Sequence, residues 1–178
     1  MSRGRGYLGI LCLAWLLTGC TAWKVTKKVG EVVMNPDVPV GKASDQPSTV
    51  TLALLAEPDI NPNESGEATP TEIVVIYLSE DSLLLAADYD PLSNDQLEKT
   101  LGKNYLDHQQ YTLLPDQFKP LPPIELEKNT RFLGVIARYA DASRSEWKKI
   151  IKIKGQGHHY QVLIHIRSHE IELRKEGE

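Results

Sequence analysis

The sequence predicts an all-β domain: a two-sheet antiparallel β-sandwich with one short inserted helix. Three observations carry that expectation. After residue 48, about seven or eight short runs rich in Val, Ile, Leu, Thr and Tyr recur, separated by Pro, Gly and Asn clusters. Several of these runs alternate apolar with polar residues, the period of a half-buried strand. Only one segment combines helical spacing with a start signal. Many short strands between turn signals is the pattern of sheet packed on sheet.

The first strand-like run is Thr49–Ala56, which ends at Glu57-Pro58. A turn-rich stretch from Pro58 to Pro70 follows, and Ile73–Leu78 is a second, nearly continuous apolar strand. Ser82–Ala86 reads as another short strand, ended by Asp88-Tyr89-Asp90-Pro91. The helix is expected after Ser93, with Gln96 completing a capping box and Leu97, Leu101 and Tyr105 at i, i+4 spacing. Gly102 weakens it. Tyr111–Leu114 stops at Pro115, and Pro120, Pro122 and Pro123 precede Ile124–Glu127, which suits an edge because proline cannot donate to a ladder. Phe132–Tyr139 is the most apolar run of the second half. Trp147, Ile151 and Ile153 then face away from Lys148, Lys152 and Lys154. The final strand alternates at Tyr160, Val162, Ile164 and Ile166, with Gln161, His165 and Arg167 between.

The N-terminus reads differently. Arg3 and Arg5 precede an apolar stretch from Tyr7 to Leu17, and Leu17-Thr18-Gly19-Cys20 closes it. This is the layout of a secretory signal, and its core falls short of the roughly 20 residues needed to span a bilayer. The closing tetrapeptide resembles the bacterial lipobox, which implies a signal over residues 1–19, diacylglycerol on the thiol of Cys20 and an N-acyl chain such as palmitate on its amine. Several acyl chains give stable anchoring where one would not. Thr21 stands where Asp would favour inner-membrane retention, so the outer membrane is the expected address, with the domain facing the periplasm. Residues 20–48 are expected to form a lipidated tether whose far end lies along the domain, and residues 49–178 the sandwich. Beyond the lipid, no cofactor is expected.

Loss of the signal removes Arg3 and Arg5, taking Lys+Arg from 20 to 18 against 24 acidic residues, a net charge of −6. That balance argues against nucleic acid as a partner. Cys12 leaves with the signal and Cys20 is lipidated, so no disulfide is available and a hydrophobic core must supply stability.

No catalytic constellation emerges, and the protein is expected not to be an enzyme. His158, His159, His165 and His169 lack an H-x-H pair; on a strand His159 and His165 lie about 20 Å apart, so no metal site is expected. His158 and His159, beside Gly155 and Gly157, are expected in a hairpin turn, and the histidines are read as solvated. Asp88, Asp90 and Asp95 lack the spacing of a calcium loop. The lysines around Trp147 read as a solvated sheet face. One feature stands out: the connection from Pro58 to Pro70 is far longer than the two to five residues of an ordinary two-strand link, which marks it as a functional loop.

Taken in order, several segments resemble the TssJ (SciN) family, lipoproteins of the bacterial type VI secretion system. They are the lipobox, Asn35–Gly41, Asp45–Ser48, Asn61-Pro62-Asn63 with Gly66-Glu67, Ile76-Tyr77-Leu78, Ala86–Tyr89, Leu133–Tyr139 and Trp147. The resemblance implies a transthyretin-like sandwich and a structural role at the outer-membrane end of an envelope-spanning complex with other type VI membrane subunits. It also implies that the loop between the first two strands meets the periplasmic C-terminal domain of TssM, an inner-membrane component. Here the contact residues would be Ile60, Asn61, Pro62, Asn63, Glu64, Ser65, Gly66 and Glu67, with Ile60 the one large apolar anchor. Two rivals remain: a pilotin or chaperone-like lipoprotein of another secretion system, and a ligand-carrying periplasmic lipoprotein.

Overall fold

Apolar alternation does what the sequence promised in the first strand. In the computed structural model, which describes residues 42–92 and 95–177, β1 (Thr49–Ala56) turns Val50, Leu52, Leu54 and Ala56 inward. The expected signal, Cys20 and the expected tether up to residue 41 lie outside the described residues, as does Ser93. Pro47 forms an isolated bridge with Gln156. Ser48 is fully buried; its N–H donates to the Gly155 carbonyl at 2.9 Å and its Oγ accepts from the His158 N–H at 3.1 Å.

Among the described residues nine strands form two sheets. The others are β2 (Thr71–Leu78), β3 (Tyr105–Leu113), β4 (Phe118–Pro120), β5 (Ile124–Glu125), β6 (Phe132–Ala137), β7 (Lys148–Lys152), β8 (His159–Ile166) and β9 (Ile171–Glu176). One sheet has the order β4-β1-β8-β9 with β5 also on β1; the other runs β3-β2-β6-β7. Pairing is antiparallel except between β1 and β8, which run parallel over their whole length, so the first sheet is mixed. The interior between the sheets is built from alternating positions such as Leu52, Leu54, Ile73, Val75, Val135 and Ile164.

The run Ile73–Leu78 is nearly continuous in apolar residues because β2 is buried on both faces. Ile73, Val75 and Tyr77 face the interior, while Val74, Ile76 and Leu78 lie under a cover made by two short helices, α1 (Ser82–Ala86) and α2 (Leu97–Leu101). Gly134 lets Leu84 of α1 lie close against the sheet, since a Cβ there would fall 2.4 Å from Leu84 Cδ2.

Several expectations are corrected. Ser82–Ala86 is helical: a single buried side chain, Leu84, docks on the sheet, and Lys148 Nζ satisfies the helix C-terminus by donating to the carbonyls of Leu84, Leu85 and Ala87 at 3.0, 2.8 and 2.7 Å. Lys148 is therefore a clamp rather than part of a solvated lysine face. The expected helix is short; Gly102, at φ +47°, turns the chain after Leu101, and Tyr105 opens β3 six residues before the strand anticipated at Tyr111. Gln96 makes no side-chain cap. The strand at Ile124 ends at Glu125, and β6 ends at Ala137. His158 and His159 do not form a hairpin, because β7 and β8 belong to different sheets. Sequence reading also missed β4, three residues ending in proline, and β9, a charged edge that buries only Ile171.

Candidate functional site

The long loop from Glu57 to Pro70 divides into a buried base and an exposed tip. Ile60 is fully buried in the core between the sheets. Asn61 is only 6% exposed and takes a left-handed backbone at φ +46°, a conformation Asn tolerates better than most residues. Its side chain is used completely. Nδ2 donates to Thr69 Oγ1 at 2.9 Å and to the Pro70 carbonyl at 3.0 Å, and Oδ1 accepts the Ala140 N–H at 2.6 Å. The Asn61 N–H reaches the Ser168 carbonyl at 3.3 Å, and Thr69 Oγ1 donates back to the Asn61 carbonyl at 2.6 Å. One asparagine thus ties both ends of its own loop to the β6–β7 and β8–β9 connections.

Tyr139 repeats the tie from the neighbouring loop. It is buried, and its hydroxyl points at the carbonyls of Arg167 and Glu170, 3.0 and 2.7 Å away. Burial pushes that phenol well above its ordinary range. Asp141, two residues on, is held down to about 2 by hydrogen bonds from Ser143 and Arg144, which fold the start of the β6–β7 connection into a tight turn.

The tip is organised by Asn63. Its Oδ1 accepts the N–H groups of Ser65 and Glu67 at 2.9 and 3.0 Å, its Nδ2 donates to Glu67 Oε2 at 3.2 Å, and the backbone closes between Asn63 and Glu67 at 2.9 Å. Gly66 sits at φ +80° with open space around it. Glu64, Ser65, Gly66, Glu67 and Ala68 are exposed; Pro62 and Asn63 are half-buried.

The eight residues expected to meet a partner therefore split. Glu64, Ser65, Gly66 and Glu67 are presented to solvent, whereas Ile60 is no surface anchor: it is spent on the core and could not touch a partner without unfolding the loop. Asn61 is likewise a staple. Cys20 lies outside the described residues. The positioning residues Thr69, Tyr139 and Ala140 escaped sequence reading because their roles depend on contacts across 8 to 79 residues of chain.

Beside the base, Glu57 Oε1 meets His165 Nε2 at 3.2 Å and Arg167 Nε at 3.5 Å, and Glu172 Oε2 meets His165 Nδ1 at 3.6 Å and Arg167 at 2.9 Å. Hydrogen bonding from Arg174 holds the Glu172 carboxyl below its ordinary range. His165 is thus enclosed by carboxylates rather than solvated, while His159 and His169 are exposed. Among the described residues no group of three or more His, Cys, Asp or Glu is arranged to hold a metal, and no helix is long and apolar enough to cross a membrane. The depression bordered by Glu57, Ser143, Arg144, Arg167 and His169 is shallow and open to solvent. Such a surface fits a protein better than an enclosed small molecule.

Comparison with known proteins agrees with the architecture. The structure matches that of the type VI secretion lipoprotein TssJ1 from Pseudomonas aeruginosa, with a TM-score of 0.68 and 28% identity over 73% of this chain and 97% of that one. It matches Lip of Serratia marcescens, described as a membrane-bound component of the type VI secretion system, with a TM-score of 0.65 and 24% identity over 73% and 98% of the two chains. A chain of a solved type VI membrane complex shares the fold with a TM-score of 0.62 at 19% identity, covering 72% of this chain and 99% of that one. No curated protein matches the chain. The family of type VI secretion lipoproteins that includes VasD, EvfM and TssJ matches residues 48–169, more than half of the sequence, and the protein belongs to that family.

Proposed function

We propose that this protein is the outer-membrane foot of a type VI secretion membrane complex, and that the tip of its β1–β2 loop grips the periplasmic C-terminal domain of TssM. The observation that carries the reading is the division of the loop. A dozen-residue insertion that merely tolerates its place has no need of a base in which every polar atom of Asn61 is satisfied. A base fixed to two other connections holds the tip in one shape before any partner arrives, and preorganisation of that kind reduces the ordering cost of binding.

Membership in the family supports the secretion role, and the resemblance supplies TssM as the partner. The role is structural and non-catalytic. Lipid on Cys20 fixes the chain in the outer membrane, the tip holds a protein rooted in the inner membrane, and the two attachments in series position the rest of the complex.

The test uses the full lipidated chain in detergent, titrated calorimetrically with the purified periplasmic domain of the cognate TssM. In a second preparation residues 63–68 are replaced by a short Gly-Ser turn, leaving Ile60, Asn61 and Thr69 in place. Saturable binding lost only in the replacement supports the loop; binding that survives moves the contact elsewhere; no binding by the parent brings the pilotin reading forward. Intact mass and membrane fractionation of the parent and of Cys20→Ser check the anchor and its membrane.

A further inference from the structure

The chain is acidic as a whole, yet the segment beside the expected lipid and the end of the domain that receives it are basic. Lys24, Lys27 and Lys28 follow Cys20 with no acidic residue before Glu31. The described chain begins at the opposite end of the sandwich from the β1–β2 loop, beside the β7–β8 connection. There the Gln46 carbonyl accepts the Gly157 N–H and the Ser48 N–H donates to the Gly155 carbonyl, both at 2.9 Å. From this point β1 leads away to the loop.

Around this entry Lys128, Arg131, Lys152, Lys154 and Lys175 are brought together. The Ile153 N–H donates to the Arg131 carbonyl and the Gly155 N–H to the Thr130 carbonyl, each at 2.9 Å, which sets Lys152 and Lys154 beside the turn over residues 128–131. Within that turn Arg131 Nη1 donates to the Lys128 carbonyl at 3.0 Å. Lys175 Nζ donates to the Lys152 carbonyl at 3.1 Å and lies 5.4 Å from the centre of the Tyr160 ring, whose hydroxyl accepts the Lys154 N–H at 3.1 Å.

All five side chains are exposed, and none forms an ion pair among the described residues. By contrast Arg138, Arg144, Lys149, Arg167 and Arg174 each meet a carboxylate. The same end holds acids as well. Asp45, Glu80, Asp81 and Glu125 adjoin β1 and β2, whereas the cations gather where β6 begins, where β7 ends and on β9. Beside the cations themselves stand only Glu127 and Glu176 in sequence, so this side of the end stays positive.

We propose that this basic face rests on the anionic phosphoglyceride head groups of the membrane that holds the lipid, standing the sandwich on its entry end with the β1–β2 loop directed away from the bilayer. This rests on the reading of Cys20 as the lipid anchor. Attraction between a basic side chain and an anionic leaflet fades within a Debye length, about 8 Å at physiological salt. The acyl chains keep the domain close enough for that attraction to act. Glu57, Asp59, Glu64 and Glu67, beyond the far end of β1, are repelled by the same surface, so charge sets the direction in which the loop points. An acidic protein would also satisfy the five cations. What favours the bilayer is that the lysines nearest the lipid carry the same sign.

The test reconstitutes the full lipidated chain in vesicles of phosphatidylcholine, alone or mixed with phosphatidylglycerol. Flotation checks the anchor, and lysine amines are then labelled with an uncharged reagent and read by peptide mass. Lys128, Lys152, Lys154 and Lys175 should label about threefold or more slowly on the anionic vesicles. Lys119 and Lys149, which pair with Leu54 and Val135 toward the loop end, serve as the unprotected reference. About 0.5 M salt should remove the difference, since it shortens screening to about 4 Å. In Lys152→Glu with Lys154→Glu, two exposed positions, the protection of Lys128 and Lys175 should disappear with circular dichroism unchanged. Equal labelling of the parent on both vesicles, with flotation intact, overturns the proposal and leaves the anchor standing. A chain that floats with neither vesicle overturns the anchor and the proposal together. Protection that appears only when the cognate TssM periplasmic domain is added, equally on both vesicles, assigns the cations to an acidic protein and overturns the proposal.

Discussion

Base and tip of the β1–β2 loop lie within a few residues of each other yet obey opposite rules. At the base, Ile60 and Asn61 are sealed into the domain and every polar atom of the asparagine has a partner. At the tip, Glu64 to Ala68 face water and hold their shape mainly through Asn63. The difference shows that a long insertion need not be a contact surface along its whole length. Part of it exists to position the remainder, and substitutions should separate the two jobs.

The largest effect is expected at the base. Ile60→Ala removes a buried branched side chain from the core between the sheets and should destabilise the domain by about 2–5 kcal/mol in denaturant titrations. A loss under 1 kcal/mol would mean that the base is not part of the core and the division is wrong. Asn61→Ala should cost about 2–4 kcal/mol, since it leaves the Ala140 N–H without its acceptor and forces alanine into a left-handed backbone. Asn61→Gly sharpens the attribution: it relieves the backbone but not the hydrogen bonds, so it should recover about 1 kcal/mol of that loss. Equal losses for the two variants would place the whole effect in hydrogen bonding.

At the tip the balance reverses. Gly66→Ala meets no neighbouring atom, so only the positive φ should matter, at about 1 kcal/mol. Replacing Glu64 and Glu67 together by Gln should shift stability by less than about 0.5 kcal/mol. It should instead slow association with the TssM domain and flatten its dependence on salt, the signature of rim charge. A large stability change with unaltered association kinetics would make the tip structural after all.

How much of this was legible beforehand follows from the range of the interactions involved. Alternation in Thr49–Ala56 and Tyr160–Ile166 is a local property, and both strands lie where it put them. The apolar run at Ile73–Leu78 was readable as a strand, though its burial on both faces depended on two helices, and α1 packs Leu84 beside Gly134 and is held at its end by Lys148. Ser82–Ala86 misled because five residues carry too little periodicity to oppose a tertiary contact. β9 was hidden by its charge, which an edge strand carries to discourage pairing with other chains. The loop was found from its length alone, but length says nothing about which side chain turns inward. Ile60 looked like an anchor for a partner for the reason that makes it a core residue: it is large and apolar.

The smallest effect expected concerns acid, and it acts on the base from the neighbouring loop. Asp141 folds the start of the β6–β7 connection, next to the Ala140 N–H that Asn61 accepts. Its carboxyl is held at about 2, below the ordinary carboxylate value of about 3.9, so the folded state favours the ionised form. Whatever stability this contributes is fully present above the unfolded value and is lost as pH falls through about 2. Solvent reaches the group, so screening keeps the contribution small. Carboxyl NMR should show Asp141 titrating near 2, with the Ala140 amide shifting over the same interval; in Asp141→Asn that component of the amide shift should vanish. An Asp141 midpoint near the ordinary value would detach the β6–β7 connection from the base, leaving Asn61 and the core to hold the tip alone.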